Sequence, residues 1–140
     1  MMGTSNADPF SESKTSYYHK SVGGYHPAKL RIYQDIIEKY LGSGRPNPNV
    51  INMLNAKYVI APDPQTGQGV LITNPDAFGP CWLVKHIQVT PSRVAALQAI
   101  GNTNLRDTAI VDESFSKNIV QPQWDSASSI TMTKIDNDEI

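Results

Sequence analysis

The chain has 140 residues, 39% hydrophobic and 18% charged, the make-up of one globular domain long enough to bury a core. Its formal net charge of −1 argues against a general nucleic-acid binder, and its single cysteine, Cys81, excludes an internal disulfide or a CxxC metal knuckle. No apolar run reaches the ~18 uncharged residues of a membrane span, because Asn and Lys interrupt NVINMLNAKYVIA and Lys and His interrupt CWLVKHIQV; no basic segment leading into an apolar one marks an export signal.

The doubled Met and the SNA tripeptide of MMGTSNADPF look like an expression-tag remnant, so residues 1–7 are set aside and residues 8–140 are read as one domain excised from a longer protein. Between Lys14 and Arg45 six basic residues meet only Asp35 and Glu38; from Asp107 onward seven acids meet only Lys117 and Lys134, and two such ends attract each other. Pro27 suits the first position of a helix, where its missing N–H is not needed. Apolar residues then recur at Leu30, Tyr33, Ile37, Tyr40 and Leu41, charged pairs Arg31–Asp35 and Asp35–Lys39 take the other side, and Gly42 supplies a stop. The spacing predicts a helix over residues 28–41.

After the Gly/Pro/Asn loop GSGRPNPN, the segment VINMLNA reads as a short helix, and YVIA and GVLIT, separated by PDPQTGQG, read as a hairpin with a longer-than-minimal turn. CWLVKHIQV reads as a strand whose phase shifts near His86. In TPSRVAALQAIG, Thr90 caps a helix with Pro91 in its first turn, a stripe of Val94, Leu97 and Ile100, and Gly101 at its end. TAIVD is a short strand. SSITMTKI alternates as an edge strand does, leading into exposed acids at Asp136, Asp138 and Glu139. Helices and strands mixed without a regular βαβ repeat predict an α+β fold, with a small, mostly antiparallel sheet packed on two main helices.

Chemistry is harder to place. His19 and His26 match no compact metal spacing, and no cysteine or carboxylate lies between them, so neither a metal site nor a cofactor is expected. Cys81 and His86 would make the best nucleophile–base pair of a free-standing enzyme, yet an odd offset along one strand turns their side chains to opposite faces, and a structural cysteine is the better reading. Asp112 with Glu113 share that fault, while Asp35 with Glu38 fit a solvated salt-bridge face. Of the tyrosines, Tyr33 and Tyr40 fall on the apolar helix stripe; Tyr17, Tyr18 and Tyr25 stay open as ring-stacking residues.

The ordered blocks TSYYHKSVGGYH, AKLRIYQD, NMLNAKYVI and IVDE, with CWLVKHIQV and SRVAALQAI between them, resemble the bacterial YfhO family of integral membrane proteins, especially Bacteroidetes members, over most of residues 14–135. The resemblance implies a soluble extracytoplasmic (periplasmic) domain of a GT-C-like glycosyltransferase family. Its partners would be the membrane helices of the same full-length protein and a lipid-linked sugar or envelope polymer, with no nucleic acid. Neither the membrane helices nor the loop expected to carry the catalytic base is in this sequence, so no catalytic residue is assigned and the domain is expected to bind or position rather than turn over substrate. His19, Lys20, Tyr25, His26, Lys29 and Arg31 gather donors ahead of a helix and form the candidate anion or ligand site. The alternative is that Gly23 and Gly24 make a tight turn whose polar neighbours satisfy loop backbone, and an adaptor docking through this basic surface is a third reading.

Overall fold

The computed structural model describes residues 9–42 and 46–134. The fold is α+β: helix α1 (Lys14–Tyr18), α2 (Arg31–Ile36) running into a π-helical turn (Ile37–Leu41), α3 (Pro48–Met53), strands β1 (Tyr58–Pro62), β2 (Gly69–Thr73) and β3 (His86–Thr90), helix α4 (Arg93–Ile100), strand β4 (Thr108–Asp112) and a 3-10 turn (Glu113–Asn118). The strands form two separate pairs, β1–β2 antiparallel and β3–β4 parallel. The parallel pair is a single βαβ unit, the long crossover that parallel neighbours require being supplied by α4.

The helix expected from residue 28 begins at Arg31. Pro27 and Ala28 lie in a turn that His26 holds from both sides, its Nδ1 accepting from Ala28 N–H (3.1 Å) and its carbonyl from Lys29 N–H (3.2 Å). Leu30 stays extended (φ −59°, ψ 134°) and exposed, its carbonyl receiving the N–H groups of Tyr33 and Gln34. At the other end Gly42 N–H reaches back five residues to the Ile37 carbonyl (2.8 Å), widening the last turn. That widening turns the neighbouring pairs Ile36–Ile37 and Tyr40–Leu41 inward together, where with Val50 they make the buried cluster.

Val50 is fully buried because α3 is held firmly at its start. The Asn47 side chain accepts from Asn49 N–H (3.0 Å) and Val50 N–H (3.3 Å), and Pro48 occupies the first helical position. The helix therefore starts two residues before the expected VINMLNA and stops at Met53, with Asn55 left-handed (φ 54°) behind it. α4 closes the core from the other side with Leu97 and Ile100, while Val94, assigned to the same stripe from spacing, stays exposed. Its cap is Ser92, whose hydroxyl accepts from Ala95 N–H (3.2 Å). Thr90 is buried instead, donating to the Val111 carbonyl (3.1 Å) across the parallel pair, so Pro91 precedes the helix rather than opening it.

Tyr40 joins α2 to α4. Its hydroxyl donates to the Leu97 carbonyl and accepts from Gly101 N–H (3.1 Å), so one side chain satisfies groups at the C-terminal end of the neighbouring helix. The β1–β2 hairpin stands where expected, with Asp63 organising its turn: the carboxylate accepts from Gln65 N–H (2.8 Å) and Thr66 N–H (2.9 Å), and Gly67 takes φ +69°.

Two further strand expectations are corrected. β3 covers only His86–Thr90, so CWLV precedes it as irregular chain in which Trp82 Nε1–H donates to the Leu105 carbonyl (3.2 Å) and its ring meets Phe78 edge-on at 5.1 Å. Residues 128–134 form no strand, despite their alternation; Ile135 and the acids Asp136, Asp138 and Glu139 lie outside the described residues, as do residues 1–7. The attraction expected between the oppositely charged ends is not seen among the described residues: Arg31 pairs with Asp35 one turn along its own helix, and Asp107 pairs with Lys85 (3.2 Å), which lies outside the basic stretch.

Candidate functional site

The segment before α2 is shaped by two glycines. Gly24 N–H donates to the Pro9 carbonyl (2.8 Å) and Tyr25 N–H to the Glu12 carbonyl (3.0 Å), so residues 22–25 lie flat against residues 9–12. A β-carbon on Gly23 would sit 2.5 Å from the Pro9 carbonyl oxygen, and one on Gly24 (φ +121°) would sit 2.7 Å from Ser16 Oγ. No side chain fits either place. Tyr33, whose hydroxyl donates to the Val22 carbonyl and is pushed above its ordinary pKa by burial, ties this segment to the core.

The result is an open groove of about 440 Å³ lined by Phe10, Ser11, Tyr25, His26, Pro27, Lys29, Arg31 and Gln34. Four of the six candidate residues therefore share one surface: Tyr25, His26, Lys29 and Arg31. His19 and Lys20 do not line it; His19 sits at the exposed C-cap of α1, its N–H bonded to the Thr15 carbonyl (3.0 Å). Phe10 and Ser11 escaped the sequence reading because the long-range backbone bonds that carry residues 9–12 to the groove leave no local pattern, beyond the Gly-Gly pair that permits them, whereas Gln34, three residues after Arg31 on α2, was within reach of helical spacing.

The electrostatics are moderate. Arg31 Nε pairs with Asp35 Oδ1 at 2.7 Å, which offsets part of its charge, and Gln34 donates to Glu38 (2.9 Å). His26 is held in a defined tautomer: with Nδ1 accepting from Ala28 N–H, the neutral ring carries its proton on Nε2 as a donor. The Tyr25 ring is 60% exposed and offers a flat apolar face beside these donors. Such a wall suits a small anion borne on a ring or chain. Tyr17 and Tyr18 form their own exposed edge-to-face pair (4.9 Å between centroids) outside the groove.

The other candidates gain nothing from the fold. Cys81 lies ahead of β3 rather than on it, so the alternating-face argument against a Cys81–His86 pair does not apply, but no hydrogen bond joins the two side chains among the described residues. Asp112 instead caps the following 3-10 turn, its carboxyl held below the usual range by hydrogen bonds from the Ser114 side chain and N–H. Among the described residues no three His, Cys, Asp or Glu side chains gather as a metal site would need, and no helix is long and apolar enough to cross a membrane. No family model, curated protein or solved structure matches the chain.

Proposed function

We propose that the chain is an accessory extracytoplasmic domain of a YfhO-like membrane protein, supporting glycosyl transfer to a cell-envelope polymer or lipid by binding or positioning, with the chemistry done elsewhere in the parent protein. The reading rests on the sequence resemblance, and the observation that carries the binding role is the convergence of Tyr25, His26, Lys29 and Arg31 on one groove. A phosphate on a lipid-linked sugar would meet Lys29, Arg31 and the Nε2–H of His26 as charge-assisted or neutral donors, while the sugar ring lies on Tyr25. The ion pair of Arg31 Nε with Asp35 restrains the guanidinium beside the groove.

Titration of the isotope-labelled chain with a sugar 1-phosphate, followed by amide and side-chain NMR shifts, tests it. The expected result is perturbation centred on Tyr25, His26 and Lys29, lost in the Lys29→Ala, Arg31→Ala double variant. Shifts confined to other surfaces, or binding indifferent to that variant, reject the groove as the binding site.

A further inference from the structure

The β1–β2 hairpin leaves an edge open. Asp63 N–H bonds to the Gln68 carbonyl and Asn74 N–H to the Lys57 carbonyl (both 2.8 Å), bracketing a register in which Val59 faces Ile72 and Ala61 faces Val70. Ladder bonds alternate along an antiparallel pair, so the backbone groups of Gly69, Leu71 and Thr73 turn outward from β2 and those of Tyr58, Ile60 and Pro62 outward from β1. The β1 edge is flawed because Pro62 has no N–H. The β2 edge carries every donor and acceptor, and its five residues are all exposed.

Among the described residues nothing guards that edge. Neither strand contains a charged residue, and Ile60, Leu71 and Ile72 are 73%, 65% and 51% exposed. The other sheet is treated differently: at β3 the Gln121 amide donates to the Ile87 carbonyl (3.1 Å) and accepts from Ile87 N–H (3.3 Å), occupying the place of a neighbouring strand.

We propose that the outer edge of β2 is a self-association surface, taken by β2 of a second copy in an antiparallel two-fold pairing centred on Leu71. The sequence of the strand favours this occupant. With Leu71 opposite its own copy, Gly69 faces Thr73 of the other chain, all three outward residues form bonded pairs, and about six main-chain hydrogen bonds close the joint. The rows of side chains across the resulting sheet are apolar on both faces: Ile60, Leu71, Leu71 and Ile60 on one, Val59, Ile72, Val70 and Ala61 on the other. Beyond the strand Gln68 meets Asn74 and Thr66 meets Asp76, so no like charges oppose one another. The isologous arrangement closes at two chains.

Sedimentation equilibrium of the full chain over a range of concentrations tests the proposal. The unchanged chain is expected to show a reversible monomer–dimer equilibrium, and Leu71→Lys or Leu71→Glu alone to weaken it about tenfold or more by setting like charges face to face. An equal mixture of the two variants is expected to regain the dimer, because only then do opposite charges meet at the two-fold. Leu71 is exposed, so both variants keep the fold, which far-UV circular dichroism checks. Amide exchange on the unchanged chain gives a second measurement free of variants: Gly69, Leu71 and Thr73 slow as concentration rises, and Tyr58 and Ile60 do not. A chain that stays monomeric throughout overturns the proposal. So does a dimer indifferent to both Leu71 changes, which would place the contact elsewhere, or a mixture that fails to reassociate, which would leave the edge to a strand from another protein.

Discussion

Gly101 decides between two opposite effects of a single methyl group. It closes α4 with φ −70°, an ordinary right-handed value at which Gly→Ala normally stabilises by roughly 0.4–1 kcal/mol through the unfolded chain. Here, however, a β-carbon would come 2.7 Å from Tyr40 Cε1, 2.9 Å from its hydroxyl oxygen and 3.2 Å from Cζ. Tyr40 cannot easily retreat. It is buried in the cluster with Ile36, Ile37, Leu41 and Val50, and its hydroxyl is engaged with Leu97 and with Gly101 itself. Over-packing of this kind costs about 1–3 kcal/mol, and loss of the Tyr40 hydrogen bonds adds about 1 kcal/mol for each one broken without replacement. The contact term therefore outweighs the entropic gain, and Gly101→Ala is expected to destabilise by about 1–3 kcal/mol net. Urea unfolding of both chains, compared at equal m-value, measures it. A variant as stable as the parent or more so would show that Tyr40 does not pack against this turn, and the link between α2 and α4 would have to be redrawn.

Asn47→Ala removes the acceptor for two N–H groups at the start of α3 and is expected to cost about 1 kcal/mol in the same assay, with Asn47→Asp or Asn47→Ser largely restoring it. Gly24→Ala forces a side chain into φ +121° against Ser16 and is expected to cost about 1–3 kcal/mol while speeding amide exchange at Gly24 and Tyr25, whose N–H groups bond to residues 9–12. The Asp63 carboxyl is held below the usual range, first by the Thr66 N–H, then by the Gln65 N–H. A depressed folded value contributes stability that is fully present above the ordinary carboxylate pKa and lost as pH falls through the lower folded value, so Asp63→Asn should flatten the acid limb of the stability–pH curve; an unchanged limb would mean the turn does not hold the charge.

How much of this could be read in advance depends on how far apart the deciding atoms lie along the chain. The hairpin, the stripe ending at Tyr40 and Leu41, and the stop at Gly101 follow from neighbours within a few residues, and periodicity captures them. The late start of α2 does not, because proline at a first helical position and proline in a turn held by His26 look alike until the Nδ1 bond is seen. Parallel pairing of β3 with β4 was equally hidden, since two short apolar strands around a helix are compatible with either direction. The alternating run at residues 128–134 shows the converse failure: alternation provides a face but no neighbour, and a strand exists only where its backbone is paired. The groove stands between these cases. Its basic and aromatic residues follow one another from Tyr25 to Arg31, so the cluster was visible as composition, whereas its other wall comes from Phe10 and Ser11 by way of the bonds from Gly24 to Pro9 and from Tyr25 to Glu12. Those bonds also settle what Gly23 and Gly24 do. With their N–H groups given to Ser21 Oγ (3.1 Å) and the Pro9 carbonyl, they let two segments touch where any β-carbon would collide, and the groove is the concavity left beside that contact.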